Sequence, residues 1–194
     1  MNYLILVKHA LPDLIPAAPA AEWRLGEAGR RGSAALAERL RPYRPAAIVA
    51  SREPKATETG SIVSTILDTP FATLEGLHEH DRSNVGWLTT ELLDAKVAEF
   101  FERPSDLVLG RETAGAAGER FALAVDQALA AQPSGSLVIV AHGTVITLLV
   151  AAHNDIEPFL FWKRLGLPSF VVLSLPGMAL VEVVEELHSN VLRG

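Results

Sequence analysis

The sequence predicts an α/β fold: a three-layer α/β/α sandwich whose central sheet is mostly parallel and has an antiparallel C-terminal edge. Short, continuous apolar runs alternate with longer segments of helical spacing, which is typical of a parallel sheet covered by helices on both faces. Near the C terminus, two apolar runs flank Pro176-Gly177, which predicts a hairpin. The 194 residues, 49% of them hydrophobic, suit a single domain spanning 1–194.

The predicted strands are the runs without polar interruption. Strands buried on both faces have such runs, because neither face meets water. We expect strands at 3–7, 46–50, 71–74 and 137–141, and a hairpin formed by 170–175 and 179–184.

The predicted helices lie between these strands and show apolar residues at helical spacing. They cover 25–41, 57–67, 90–102, 114–131, 144–153 and 158–165. Pro133-Ser134-Gly135 predicts a turn before the fourth strand. Two long loops, residues 11–21 and 77–88, remain, and long ordered loops in compact domains are often functional.

Composition excludes several classes of function. The net charge is −6 and no run of Lys and Arg is long enough to suggest a basic patch, which argues against binding to a nucleic-acid backbone. Without cysteine, the chain cannot use disulfides, thiolate catalysis or cysteine metal sites. No apolar stretch approaches the roughly 20 residues that cross a bilayer, and the apolar N-terminal run is too short for a secretion signal. We therefore expect a cytoplasmic protein that contacts no membrane.

Histidines and cations come directly after the predicted strands. Ligands of open α/β sheets bind beyond the carboxyl ends of the strands. Four of the six histidines lie in these places. A single histidine at a strand end could be a buried structural residue, but His9 and His142 end strands at the same rim, which favours a joint site. The polar residues after the four strands are Lys8 and His9; Ser51, Arg52 and Lys55; His78 to Arg82; and His142, Gly143 and Thr144.

A cationic pocket in an acidic protein suits a phosphate group. A neutral imidazole can attack phosphorus, and nearby cations neutralise charge on the transferred group. A carboxylic acid must then protonate the leaving oxygen, and Glu79 is the best-placed candidate. The cluster from His78 to Asp81 could bind a metal, but adjacent side chains seldom converge on one ion. We expect no metal and no cofactor.

Six segments, in this order, resemble motifs of the histidine phosphatase superfamily, also called phosphoglycerate mutase-like. The resemblance spans nearly the whole chain. The segments are LVKHA (6–10), LGEAGRRGSAALAERL (25–40), ASREPKATETG (50–60), LHEHDRSNVGW (77–87), GRETAGAAGERF (110–121) and VIVAHGTVI (138–146).

The resemblance implies a role for each matching position. His9 would be the nucleophile that becomes phosphorylated, His142 would hold the phosphoryl oxygens and Glu79 would donate the proton. Lys8 and Lys55 stand where the family has its two phosphate-binding arginines. The backbone N–H groups of Gly143 and Thr144 would face the anion at the start of a helix.

The two lysines depart from the family pattern. Arginine offers phosphate a planar fork, whereas lysine offers a mobile point charge, so orientation of the phosphate and activity would be reduced. Arg52, Arg82 or Arg24 could supply the missing fork. The loop of residues 77–88, which carries Glu79, is called the acid loop below. His80 and Arg82 are interpreted as substrate contacts from this loop, with solvent exposure as the alternative.

Other polar and aromatic residues are assigned supporting roles. Trp23 and Trp87 line the pocket mouth or pack under loops, and Glu112 and Arg120 hold a helix and a loop together. His153 and His188 are expected to be structural or exposed.

Three functions remain open at this point. The first is a phosphomonoester hydrolase acting on a small phosphorylated metabolite through a phosphohistidine. The second is a mutase, although Ile15 replaces an asparagine that mutases often carry and the chain is short. The third is a protein that binds a phosphorylated ligand without turnover, which the two lysines would allow. The C-terminal hairpin also leaves an edge at which a homodimer could form.

Overall fold

A computed structural model of the chain describes residues 2–132 and 134–187. Pro133 of the predicted turn and His188 lie outside the described residues. Within the described part, no helix combines the length and the apolar character needed to cross a bilayer.

Six strands form one sheet in the order β3-β2-β4-β1-β5-β6. The first four strands of the chain run parallel to one another, whereas β5 is antiparallel to β1 and β6 is antiparallel to β5. This arrangement confirms the predicted parallel sheet with an antiparallel C-terminal edge. The bounds are β1 Tyr3–Lys8, β2 Pro45–Ser51, β3 Phe71–Leu74, β4 Ser136–Ala141, β5 Ser169–Ser174 and β6 Ala179–Val184.

The described residues contain six α-helices, at the places where the spacing predicts them. Thr89 and Thr113 cap α3 and α4, because their side chains accept hydrogen bonds from free backbone N–H groups of the first turn. The second helix begins three residues earlier than predicted, at Pro54, which suits a first turn because it has no N–H to satisfy. The bounds are α1 Glu27–Leu40, α2 Pro54–Leu67, α3 Thr90–Glu102, α4 Ala114–Ala131, α5 Gly143–His153 and α6 Pro158–Arg164.

Two hydrophobic cores lie on opposite faces of the sheet. Alternate residues of β1 divide between them: Leu4 and Leu6 join the core that includes α4 and α5, while Ile5 and Val7 join the core that includes α1 and α2. All four side chains are fully buried. The sequence therefore forms three layers, and the continuous apolar runs are explained by burial on both faces of the sheet.

The two long loops meet through an aromatic pair. Trp23 donates its indole N–H to the carbonyl oxygens of Ile15 and Ala18, which fixes it to the first loop. Its ring centroid is 6.3 Å from that of Trp87 in the second loop. The two loops therefore contact each other through these tryptophans.

Truncating a core leucine tests the layered packing. We expect Leu137→Ala, in the fully buried strand β4, to lower the free energy of unfolding by about 2–5 kcal/mol because it leaves a cavity. Leu123→Ala is the control, since Leu123 is 71% exposed on α4, and it should change stability by less than about 0.5 kcal/mol. Urea denaturation measures both, and equal losses would contradict this packing.

Candidate active site

His9 and His142 lie side by side because β1 and β4 are paired in register. Lys8 is opposite Ala141 in this pairing, so the next residue of each strand is a histidine. The backbone N–H of His9 donates to the carbonyl oxygen of Ala141 at 3.1 Å. The ring centroids are 5.2 Å apart with an interplanar angle of 61°. His142 is fully buried and His9 is only 7% exposed.

The orientation of the His9 ring is set by the next residue. Its Nδ1 lies 2.8 Å from the carbonyl oxygen of Ala10. A carbonyl oxygen only accepts, so the hydrogen-bonding pattern assigns the proton to Nδ1 and leaves the lone pair on Nε2. The N–H of Ala10 in turn donates to Oγ1 of buried Thr59 at 3.0 Å. The backbone that orients His9 is therefore tied to α2.

Both histidines are held in the neutral form. Burial lowers the pKa of His9 well below its ordinary value, and the nearby His142 and Lys55 lower it further. Burial also lowers the pKa of His142 to about 3, although Glu79 opposes that change. Nε2 of His142 is 2.9 Å from Oγ of Ser51, which the sequence placed at the end of a strand but without this contact. Neutral imidazole is the form that can act as a nucleophile.

Lys8 ends β1 and reaches toward α6. Its Nζ donates to the carbonyl oxygen of Leu165 at 2.5 Å. Burial lowers the pKa of Lys8 to about 8, with Glu79 acting in the opposite direction. Gly143 leaves room for this side chain, because a Cβ at that position would lie 3.2 Å from Cε of Lys8 and 3.3 Å from Nε1 of Trp162.

Lys55 is buried in the first turn of α2 and is paired with a carboxylate. It forms an ion pair with Glu53 and donates to the carbonyl oxygen of Ala20 at 2.7 Å. Oε1 of Glu53 also accepts the N–H of Glu79 at 2.8 Å and lies 3.4 Å from Nε2 of His142. Sequence reasoning missed Glu53. The feature of the sequence that could have indicated Glu53 is its position between the end of strand β2 and Lys55.

Glu79 points at the start of α5. Its two carboxylate oxygens accept the backbone N–H groups of His80 at 2.9 Å and Thr144 at 3.2 Å. Burial alone raises the pKa of this carboxyl, but Arg82, His142 and the two N–H groups together lower it below the ordinary value. Glu79 is therefore ionised at neutral pH in this state. The Thr144 N–H, which the sequence assigned to a phosphate, is bonded to Glu79 here.

Three predicted substrate residues point elsewhere. Arg52 pairs with the exposed Glu75, and Arg24, whose side chain is 72% exposed, pairs with Glu58 at 2.5 Å. His80 is only 4% exposed, so the alternative of solvent exposure is wrong for it. Its ring stacks on Phe100 with centroids 4.2 Å apart. Within the described residues, no hydrogen bond or ion pair joins these three side chains to His9 or His142.

Arg82 differs from those three residues, because its charge acts on the site. It lowers the pKa values of Lys8, Glu79 and His142. It is half-buried in the loop that carries Glu79. Of the three arginines that the sequence offers as substrate contacts, Arg82 is therefore the one that changes the pKa values of Lys8, Glu79 and His142.

Arg120 holds the acid loop to α4, which confirms the role expected from the sequence. Its guanidinium donates to the carbonyl oxygens of Gly76 at 2.7 Å and His78 at 2.9 Å. The same group pairs with Glu112 at 2.6 Å, and Glu112 accepts the N–H of Asp81. The position of Glu79 therefore depends on this arginine.

Acid should destabilise the protein through the buried histidines. Because their pKa values are lowered on folding, the unfolded chain binds more protons below pH 6.5, so stability falls as the pH drops from about 7 to about 5. Each histidine contributes a slope of up to about 1.4 kcal/mol per pH unit. Urea denaturation at several pH values should show a smaller slope for His142→Gln and an unchanged slope for Leu123→Ala, which removes no titratable group. Equal slopes for wild type and His142→Gln would contradict this role of burial.

Removing Arg120 should loosen the acid loop. We expect Arg120→Ala to speed amide hydrogen exchange in residues 76–82 by about tenfold or more, because the loop carbonyls lose their shared donor. Arg103→Ala removes a surface arginine that forms ion pairs at the end of α3 and is the matched control. Mass-spectrometric exchange that rises equally in both variants, or in neither, would refute this role of Arg120.

Comparison with known proteins agrees with the fold. The mycobacterial glucosyl-3-phosphoglycerate phosphatase with VO3 is 22% identical and has a TM-score of 0.75; the alignment covers 95% of this chain and 99% of that one. The phosphoserine phosphatase of Entamoeba histolytica with 3-phosphoglyceric acid is 17% identical, with a TM-score of 0.76 and coverage of 95% and 97%. Bacillus stearothermophilus YhfR is 23% identical, with a TM-score of 0.75 and coverage of 95% and 96%.

At these identities the solved structures establish a shared fold. No curated protein sequence matches the chain. The sequence profile of the histidine phosphatase superfamily (branch 1) matches residues 4–178. That match covers most of the chain, and the chain belongs to the histidine phosphatase superfamily.

Proposed function

We propose that the chain is a phosphomonoester hydrolase that acts on a small phosphorylated metabolite through a phosphohistidine at Nε2 of His9. The observation that carries this proposal is the hydrogen bond from Nδ1 of His9 to the Ala10 carbonyl, which leaves Nε2 unprotonated beside His142. Family membership supports a phosphatase, and two similar structures are described as phosphatases of small metabolites. The substrates in these descriptions belong to those two proteins and do not identify the substrate of this chain.

In the first step, Nε2 of His9 attacks phosphorus. A P–N bond forms while the bond between phosphorus and the leaving oxygen breaks, and the leaving oxygen takes a proton from Glu79. The free site holds Glu79 ionised, so the proton arrives with the substrate, because an anionic phosphoryl group nearby raises the proton affinity of the carboxylate. His142 and Lys8 stabilise the charge on the phosphoryl oxygens.

In the second step, water hydrolyses the phosphohistidine. Glu79, now a carboxylate again, takes a proton from the attacking water, whose oxygen forms a bond to phosphorus as the P–N bond breaks. The proton on Glu79 then passes to the departing phosphate, which restores the carboxylate, and His9 returns to the neutral form that burial favours. One carboxylate thus serves as acid and then as base.

The proposed site is unusual for the family because it has two lysines where the family has phosphate-binding arginines. We assign Lys8 and Lys55 to the positions of the family's phosphate-binding arginines, where each supplies charge without a planar fork. Arg82, whose charge reaches Lys8, Glu79 and His142, supplies the guanidinium. Orientation by point charges is weaker than by bidentate contacts, so we expect lower activity than two arginines would give.

A second candidate is a protein that binds a phosphorylated ligand without turnover. The ion pair of Lys55 with Glu53 favours it, because a cation that is already neutralised stabilises a transition state less well. The two functions differ in whether His9 becomes phosphorylated.

Hydrolysis of p-nitrophenyl phosphate tests the proposal. We expect His9→Ala to lower kcat/KM by about 1,000-fold or more, because the covalent route is lost. The exposed His153→Ala should retain wild-type activity. Incubation with a ³²P-labelled phosphomonoester should give an acid-labile, base-stable label on wild type and none on His9→Ala. Equal rates for wild type and His9→Ala would refute the hydrolase, and phosphate binding without label would favour the binding protein.

A further inference from the structure

Glu53 places a second carboxylate beside His142, within the group of side chains around His9 and His142 that is called the pocket below. Its side chain is only 11% exposed. Three groups surround its oxygens: the ammonium of Lys55, the N–H of Glu79 at 2.8 Å and Nε2 of His142 at 3.4 Å. The first and third of these are groups that the proposed reaction assigns to the phosphoryl oxygens. A bound phosphoryl group must therefore lie next to Glu53.

The charges of the pocket nearly cancel. His9 and His142 are neutral, because burial lowers the pKa of both. Among the described Lys, Arg, Asp and Glu side chains, three cations and two carboxylates contact these histidines or act on their pKa values. Apart from His78, which also acts on His142, they leave one net positive charge. The cations are Lys8, Lys55 and Arg82, and the carboxylates are Glu53 and Glu79.

A site with one net positive charge is matched by one negative charge. Bringing a phosphoryl dianion into this pocket would leave an uncompensated negative charge in a buried place, which is costly. A phosphoryl group that carries one proton brings a single charge and leaves none in excess. Without the carboxylate of Glu53, the same pocket would balance a dianion.

We propose that Glu53 is a specificity-determining residue, which makes this site select singly charged tetrahedral oxyanions, and hence the monoanion of a phosphomonoester, over doubly charged ones. The inference rests on the proposed function, since it takes the pocket at His9 as the phosphoryl site. It names the substrate form, R–O–PO₃H⁻, that the enzyme accepts.

The selected form closes the proton balance of the first step. The monoanion delivers one proton to the pocket, and that proton passes through Glu79 to the leaving oxygen. The P–O bond breaks and R–OH leaves neutral. The phosphohistidine keeps the net charge of −1 that the substrate brought, since its phosphoryl oxygens carry two negative charges and the His9 ring, which retains the Nδ1 proton, carries one positive charge. No proton from solvent is required until water attacks.

Two oxyanions of similar size and fixed charge test this inference without turnover. Perrhenate carries one negative charge and tungstate carries two at pH 7.5. Calorimetric titration gives their dissociation constants for wild type, Glu53→Gln and a control, Glu58→Gln. Glu58 is a largely buried carboxylate of α2 that pairs with Arg24 and Arg30 instead. For each variant, the dissociation constant of perrhenate is divided by that of tungstate. The two ions differ in hydration equally for all variants, so this difference cancels when the ratios are compared.

We expect Glu53→Gln to shift the preference toward tungstate by about tenfold or more, because a negative charge close to the bound ion is removed. Glu58→Gln should shift it by less than about threefold. Thermal unfolding by circular dichroism shows whether Glu53→Gln folds, and Glu53→Ser provides a second substitution.

Equal shifts for Glu53→Gln and Glu58→Gln would overturn the inference. A shift toward perrhenate in Glu53→Gln would also overturn it, because Glu53 would then only position Lys55. If neither ion binds wild type, both this inference and the phosphoryl site fail. If the preference shifts as expected but His9→Ala hydrolyses substrate at the wild-type rate, the proposed hydrolase fails and the role of Glu53 stands.

Discussion

The in-register pairing of the parallel strands β1 and β4 is the constraint on which the site depends. Lys8 lies opposite Ala141, so the residues that directly follow the two strands, His9 and His142, lie side by side. Their ring centroids are 5.2 Å apart. A shift of one residue in either strand would exchange the buried faces of that strand and separate the histidines. The fully apolar strands that form the two cores therefore also set the geometry of the chemistry.

Burial then determines the protonation state of each group. It keeps both imidazoles neutral, while Glu79 stays ionised because Arg82 and two backbone N–H groups outweigh the cost of burial. Buried charges need partners. In this pocket the ammonium groups are paired with the Leu165 and Ala20 carbonyl oxygens and with Glu53. These groups are therefore preorganised as a near-neutral cluster, and under the proposed function a phosphoryl group brings negative charge into it.

The sheet, the helices and the central histidines could be predicted well from the sequence, because they depend on patterns with a physical period. Continuous apolar runs indicate strands buried on both faces, and the residues directly after such a strand lie at the rim of the sheet. Side-chain directions in loops were harder to predict. His80 turns onto Phe100, and Arg24 and Arg52 pair with carboxylates of other segments, since these contacts depend on elements distant in sequence. Glu53 was missed for the same reason: its partners at the start of α5 and in the acid loop are brought together only by folding.

A crystal structure of the protein with vanadate tests the central claim most directly, because vanadate adopts the five-coordinate geometry of a phosphoryl group in transfer. We expect vanadium bonded to Nε2 of His9, with Lys8 and His142 contacting its equatorial oxygens and Glu79 next to the apical oxygen. Vanadate bonded to Nδ1, or bound away from His9 while the pocket keeps its present hydrogen bonds, would contradict the proposed phosphohistidine.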